Sequence, residues 1–269
     1  CVNAFIAAHQ GTAAPAAFTE SLGLSALAGL LAPLAVGAAA ATVIGWRWGL
    51  MVAVIGFVVI EFLRGRQLAV YGLAGTVQTR RSSGALPSLT WWALFAGMFY
   101  IGAEFCLSLW GATFIQERAG LSDAASAAGL STILGGMFIG RVFGVRIAER
   151  VASERLLRAS MLGGLVAFAI AWLVTNPVAL LGALFLTGLC LSLTWPLSMA
   201  RILRAAAGRD DRAASLALVF TTAAIGVAPF LLGVLASSMP IHSAFLLVPV
   251  LLVAAFVLVV VRPIPEPES

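Results

Sequence analysis

Apolar residues run along this chain in blocks longer than a soluble helix or strand needs. A helix that crosses a bilayer requires about 20 mostly apolar residues. Segments of that kind lie at roughly 19–44, 46–63, 89–115, 122–145, 156–175, 177–202, 212–237 and 242–262. Gly45, Asn176-Pro177 and Ser238 to Pro240 mark tight turns between them. The longest polar connection, 64–88, carries Arg64, Arg66, Arg80, Arg81 and Pro87 and reads as a linker between two bundles. The pattern predicts an all-α, polytopic membrane bundle. Residues 1–63 form the end of one bundle (its last two helices), 64–88 the linker and 89–262 a six-helix bundle. The Pro-rich tail 263–269 is expected to be disordered.

Composition agrees and removes several function classes. Hydrophobic residues make up 61% of the 269 positions and charged residues 10%, against about a quarter charged in soluble domains. A soluble enzyme, a nucleic-acid binder and a disordered regulator are excluded. The net charge of +5 then needs a cause other than nucleic acid, and cationic loops on the cytoplasmic side supply one. With residue 1 on the cytoplasmic side, the segments 64–88, 141–158, 201–212 and 262–269 are cytoplasmic too. They hold 14 of the 16 basic residues, all of them Arg, leaving only Arg47 and Arg118 opposite. This places both termini in the cytoplasm and the chain in a membrane, the bacterial inner membrane being expected. Cys1, Cys106 and Cys190 form neither a disulfide framework nor a metal spacing, and no cofactor is expected.

Two spans share a pattern. Ala32-Pro33 leads to Gly37, and Ala228-Pro229 leads to Gly233; both are A-P-x-x-x-G within an apolar helix. The offset is 229 − 33 = 196 residues. As a repeat period it implies about 107 residues and four helices ahead of Cys1, giving twelve helices in two parallel repeats, a transporter architecture. A start at Cys rather than Met fits that expectation.

Six plus six helices around a basic central loop resemble the major facilitator superfamily. Tyr100-Ile-Gly-Ala-Glu104, Trp110 and Gly140-Arg141 resemble the seventh and eighth helices of its fucose-permease-like members. Val145 to Arg155 is similar to the family's cytoplasmic loop motif G-x-L-A-D-R-x-G-x-x-R, with Val145 and Ala152 in place of glycines and Glu149 in place of Asp. Ala28 to Gly37 is similar to the fifth-helix antiporter motif but departs from it at three of five positions. The resemblance implies a major-facilitator fold lacking about its first four helices, with eight of twelve present.

Glu104 is the residue most expected to carry chemistry. It lies near the middle of the span 89–115, and a charge there costs about 2.5–3.5 kcal/mol even on lenient insertion scales. Tyr100 and Ser108, four residues before and after, share its helix face. Glu104 is the expected proton-coupling residue, the alternative being a neutral or hydrogen-bonded Glu that holds helices together. Thr187, Cys190, Thr194 and Ser198 recur on one face of the span 177–202, which Trp195-Pro196 interrupts. With Thr222 they are expected either to line a substrate cavity or to join helices. Gly136, Gly140 and Gly144 read as close helix packing. In the family resemblance Arg141, Arg146, Glu149, Arg150, Glu154 and Arg155 act as a cytoplasmic gate; the alternative is orienting Arg charge with solvated partners. His9 and His242 are expected at the surface.

These readings converge on a secondary active transporter, not an enzyme, that moves a small solute by alternating access, with proton symport favoured. Its partners are the solute, protons, the lipid bilayer and an N-terminal bundle needed for activity, and nucleic acid is excluded. An efflux antiporter, a non-transporting sensor or structural relative, and a membrane-embedded enzyme are the alternatives. No G-x4-G-K-[ST] loop is present to power transport by hydrolysis.

Overall fold

The structure is a computed structural model and describes residues 28–29, 31–39, 42, 47–64, 84–148 and 150–264. Most of the first predicted span, most of the 64–88 linker, His9, Glu149 and the tail beyond Ile264 lie outside the described residues. Among the described residues all regular structure is helical: α1 over 31–39, then α2 Arg47–Arg64, α3 Ser88–Ala119, α4 Asp123–Gly129, α5 Ser131–Ala148, α6 Ser153–Leu173 and α7 Pro177–Leu191. They are followed by α8 Thr194–Ala205, α9 Asp210–Ala236, α10 Ile241–Ala244 and α11 Leu247–Val261.

Six stretches in this set are long and apolar enough to cross a membrane: Ser88–Ala119, Asp123–Gly144, Ser153–Leu173, Pro177–Ala205, Asp210–Ala236 and Ile241–Val261. They coincide with the last six predicted spans, and the protein is an integral membrane protein. The second predicted span is also helical, as α2. Local chemistry sets the helix ends. Gly120 closes α3 in the left-handed conformation (φ 63°), its N–H donating to the Gln116 carbonyl. Ser122 Oγ accepts the Ala125 N–H at the start of α4, and Asn176 Oδ1 accepts the Ala179 N–H ahead of α7, where Pro177 fits the first turn.

Packing divides the bundle into two layers joined near α8. α3 lies against α9 and α11, while α7 lies between α5 and α6. Without a hydrophobic driving force between helices in lipid, close backbone approach has to hold such contacts. A Cβ on Gly136 would overlap the Phe185 carbonyl, and one on Gly188 the Ile133 carbonyl. One on Gly140 would strike Ser192 Oγ. The predicted glycine packing is therefore the α5–α7 seam. Aromatic stacking fastens the opposite side: Phe114 and Phe245 rings lie 4.5 Å apart. His242, expected at the surface, instead stacks on Trp172 at 4.2 Å and is partly buried. An aromatic pocket at the helix end, unreadable from spacing, accounts for the difference.

Candidate functional site

The span 177–205 is helical on both sides of a break, α7 ending at Leu191 and α8 restarting at Thr194. Pro196 sits in the first turn of α8 and has no N–H, so the Ser192 carbonyl four residues earlier loses its helical donor. Leu191, as the last residue of α7, also presents its carbonyl without a regular helical partner. Buried carbonyls need donors, and side chains from two other helices provide them. Tyr100 of α3 donates its hydroxyl to the Leu191 carbonyl at 2.8 Å. Arg141 of α5 donates Nε to the Ser192 carbonyl at 3.4 Å. The predicted Thr187–Ser198 stripe is thus split between two helices at the kink.

Glu104 completes this group. Its Oε2 lies 2.5 Å from the fully buried Tyr100 hydroxyl, and its Oε1 lies 3.9 Å from Arg141 Nη2. Its side chain is 14% exposed and that of Arg141 31%. Thr194 Oγ1 is buried beside the Tyr100 hydroxyl and interacts with it. The geometry constrains protons. Tyr100 has one hydroxyl proton, yet its oxygen meets both a carbonyl oxygen and a carboxyl oxygen. The carbonyl can only accept. The Tyr100 hydroxyl therefore shares its proton between the Glu104 carboxyl and the Leu191 carbonyl, both of which accept.

The other expected cavity residues fall differently. Ser108 Oγ donates to the Glu104 backbone carbonyl at 3.0 Å, not to the carboxyl. Thr187 Oγ1 is buried and bonded to the Ala183 carbonyl within its own helix, as a helix-contact hydroxyl would be. Ser198 is buried in α8. Thr222 is exposed on α9 and bonded to the Leu218 carbonyl. Of the expected gate residues, Arg141 is drawn to the Glu104 site instead, while Arg146, Arg150 and Arg155 are exposed. Among the described residues no ion pair joins these three to an acid, and Glu149 lies outside them.

A second charged cluster forms around Glu154, an expected gate residue, with arginine partners that the sequence did not single out. Glu154, in the first turn of α6, is ion-paired with Arg201, whose Nη1 donates to Oε2. Arg204 lies 3.4 Å from Oε1 and Arg158 3.9 Å from Oε2. The second Nη of Arg201 donates to the Arg262 carbonyl, tying the end of α11 to the cluster. Glu154 and Arg201 are buried. The available signal was positional: Arg201 falls within the predicted span 177–202, not beyond it.

Comparison with known proteins bears on what such a bundle is. Residues 136–269 match the sequence profile of the Major Facilitator Superfamily. Residues 136–269, just under half of the chain, are thus of the major-facilitator type. The fold of the chain is similar to that of the solved major-facilitator transporter FucP in its outward conformation, with a TM-score of 0.63 and 20% sequence identity over 80% of this chain. A point variant of the E. coli fucose:proton symporter FucP gives the same score and identity over 81% of the chain. The chain spans 55% and 56% of the length of those two structures. No curated protein sequence gives a significant match. The superfamily is one of transporters rather than enzymes.

Proposed function

We propose that this protein is a secondary active transporter that moves a small solute by alternating access, coupled to protons as a symporter. One observation carries the reading: Glu104, at mid-span, accepts the Tyr100 hydroxyl at Oε2 with Arg141 in reach of its other oxygen. A carboxyl so placed is costly without a function. It can exchange its proton with water on whichever side the cavity opens. Similarity to a fucose:proton symporter supports coupling in the symport direction. The N- and C-termini are proposed to face the cytoplasm of a bacterial inner membrane, and a second bundle is proposed to complete the cavity. In this reading Ser198 and Thr194 line the cavity near the kink. Arg146, Glu149, Arg150 and Arg155 serve the cytoplasmic gate.

The test is reconstitution of the protein at its full natural length in liposomes loaded with a pH-sensitive dye. Monosaccharides, including L-fucose, and their sugar acids are added outside. Lumenal acidification with a transported solute is expected for wild type. Glu104→Gln is expected to remove it while solute exchange across the membrane persists. Coupled acidification at the wild-type rate in Glu104→Gln would assign the proton elsewhere.

A further inference from the structure

The geometry points to a carboxylate anion as the solute of the Glu104–Arg141 site. This rests on the proton reading above and names the chemical class that the site takes.

A protonated Glu104 can donate to the Tyr100 oxygen while Tyr100 donates to Leu191, so the site accommodates the neutral acid as well as the carboxylate. Arg141 is the cation of the site. Among the described residues Glu104 is the one carboxyl within ion-pair reach of Arg141. With that carboxyl protonated, a guanidinium near mid-bilayer has no counter-charge. A cation at such depth calls for an anion. The guanidinium is also open to one. Its hydrogen bond to the Ser192 carbonyl uses Nε, and Nη2 stands 3.9 Å from Glu104, beyond hydrogen-bond distance. With 31% of the side chain exposed, the Nη edge can take a carboxylate as a two-pronged pair. Thr194 Oγ1, buried beside Tyr100, is a further polar group at the same place.

The surroundings supply no competing charge. The titratable groups that face Glu104 are Tyr100 on its own helix and Arg141 from α5. α7 and α8 bring the Leu191 and Ser192 carbonyls and the Thr194 hydroxyl. Among the described residues α9 and α11 bring no charged side chain to it. Coupling then follows from competition for one cation. Protonated Glu104 leaves Arg141 to the solute. When Glu104 releases its proton to water, its carboxylate claims Arg141 and the solute anion leaves. One anion and one proton cross together, so the cycle carries no net charge.

The test pairs each acid with the alcohol that replaces its carboxylate: L-lactate with (S)-propane-1,2-diol, and D-gluconate with D-glucitol. The full-length protein in detergent is treated with phenylglyoxal, and modification of the Arg141 peptide is followed by mass spectrometry alongside thermal unfolding. Protection of Arg141 and a raised unfolding temperature are expected from a carboxylate and not from its alcohol. Protection is expected to be about tenfold tighter at pH 5.5 than at pH 8. Glu104→Gln is expected to bind equally at both pH values, and Arg141→Lys to weaken binding at both. Equal effects of acid and alcohol, or no protection by either acid, overturn the anion assignment, and the proton reading stands if Glu104→Gln still removes coupled acidification. Carboxylate binding that ignores pH in wild type and is unchanged in Glu104→Gln instead overturns the competition and the proton role with it.

Discussion

Glu104 and Glu154 each meet arginine inside one helical bundle, and the two sites are built on different terms. Glu154 sits among three guanidiniums, hydrogen-bonded to a buried Arg201 that also holds the Arg262 carbonyl. It ties α6, α8 and the end of α11 together. Glu104 faces one guanidinium across 3.9 Å and makes its short contact to a phenol. The first carboxylate is committed to a structural role because its partners outnumber it and exclude water. The second is held in place by a neutral group and only approached by a charged one, as the proposed exchange of its proton requires. The two acids therefore differ in the number and nature of their donors.

Removing a partner from the tight site should have the larger effect. Glu154→Ala leaves Arg201 buried and uncompensated, and a loss of about 3–5 kcal/mol is expected for breaking such a pair. Glu154→Leu combined with Arg201→Met removes both charges and should recover most of it. Unfolding by denaturing detergent, read by tryptophan fluorescence, measures both. A single-mutant loss below about 1 kcal/mol, as for a surface pair, would erase the contrast between the two sites.

The loose site can be displaced without touching the tight one. A Cβ on Gly140 would meet Ser192 Oγ and approach the Leu189 carbonyl at 2.7 Å. Gly140→Ala should push the kink from α5 and weaken the Arg141–Ser192 contact, at about 1–3 kcal/mol for overpacking. Solute binding should fall further than stability predicts, because Arg141 loses its anchor. Binding unchanged under that loss of stability would show that Arg141 is positioned by something other than the kink.

Much of this was legible in the chain. Span length and the placement of Arg residues marked the helices from Ser88 onward, because a bilayer imposes one dominant length and one charge asymmetry. Glu104 stood out because a mid-span carboxyl is rare, and Tyr100 followed from the helical repeat. Arg141 took its expected gate role from the family resemblance. Its guanidinium in fact turns to a carbonyl freed by Pro196 on another helix, and no spacing along α5 encodes that. The Glu154–Arg201 pair joins residues 47 positions apart, so it depends on how α6 crosses α8. Ser108 and Thr187 show the converse: their polarity was visible, but a hydroxyl on a helix finds its own backbone four residues earlier.

The smallest expected change is the most discriminating. Glu104→Gln replaces a neutral carboxyl by a neutral amide of nearly the same shape. The amide NH2 can donate to the Tyr100 oxygen as the protonated acid does, so Tyr100 keeps its bond to Leu191. A stability change of about 1 kcal/mol or less is expected, the net worth of one altered hydrogen bond. If Glu104 were instead an anion paired with Arg141, the same substitution would leave the half-buried guanidinium without its partner. Its cost would then rise toward the 3–5 kcal/mol of the Glu154 site. The same detergent unfolding assay, run at pH 5.5 on wild type and Glu104→Gln, separates these cases, and a loss of the larger size would overturn the neutral assignment of Glu104.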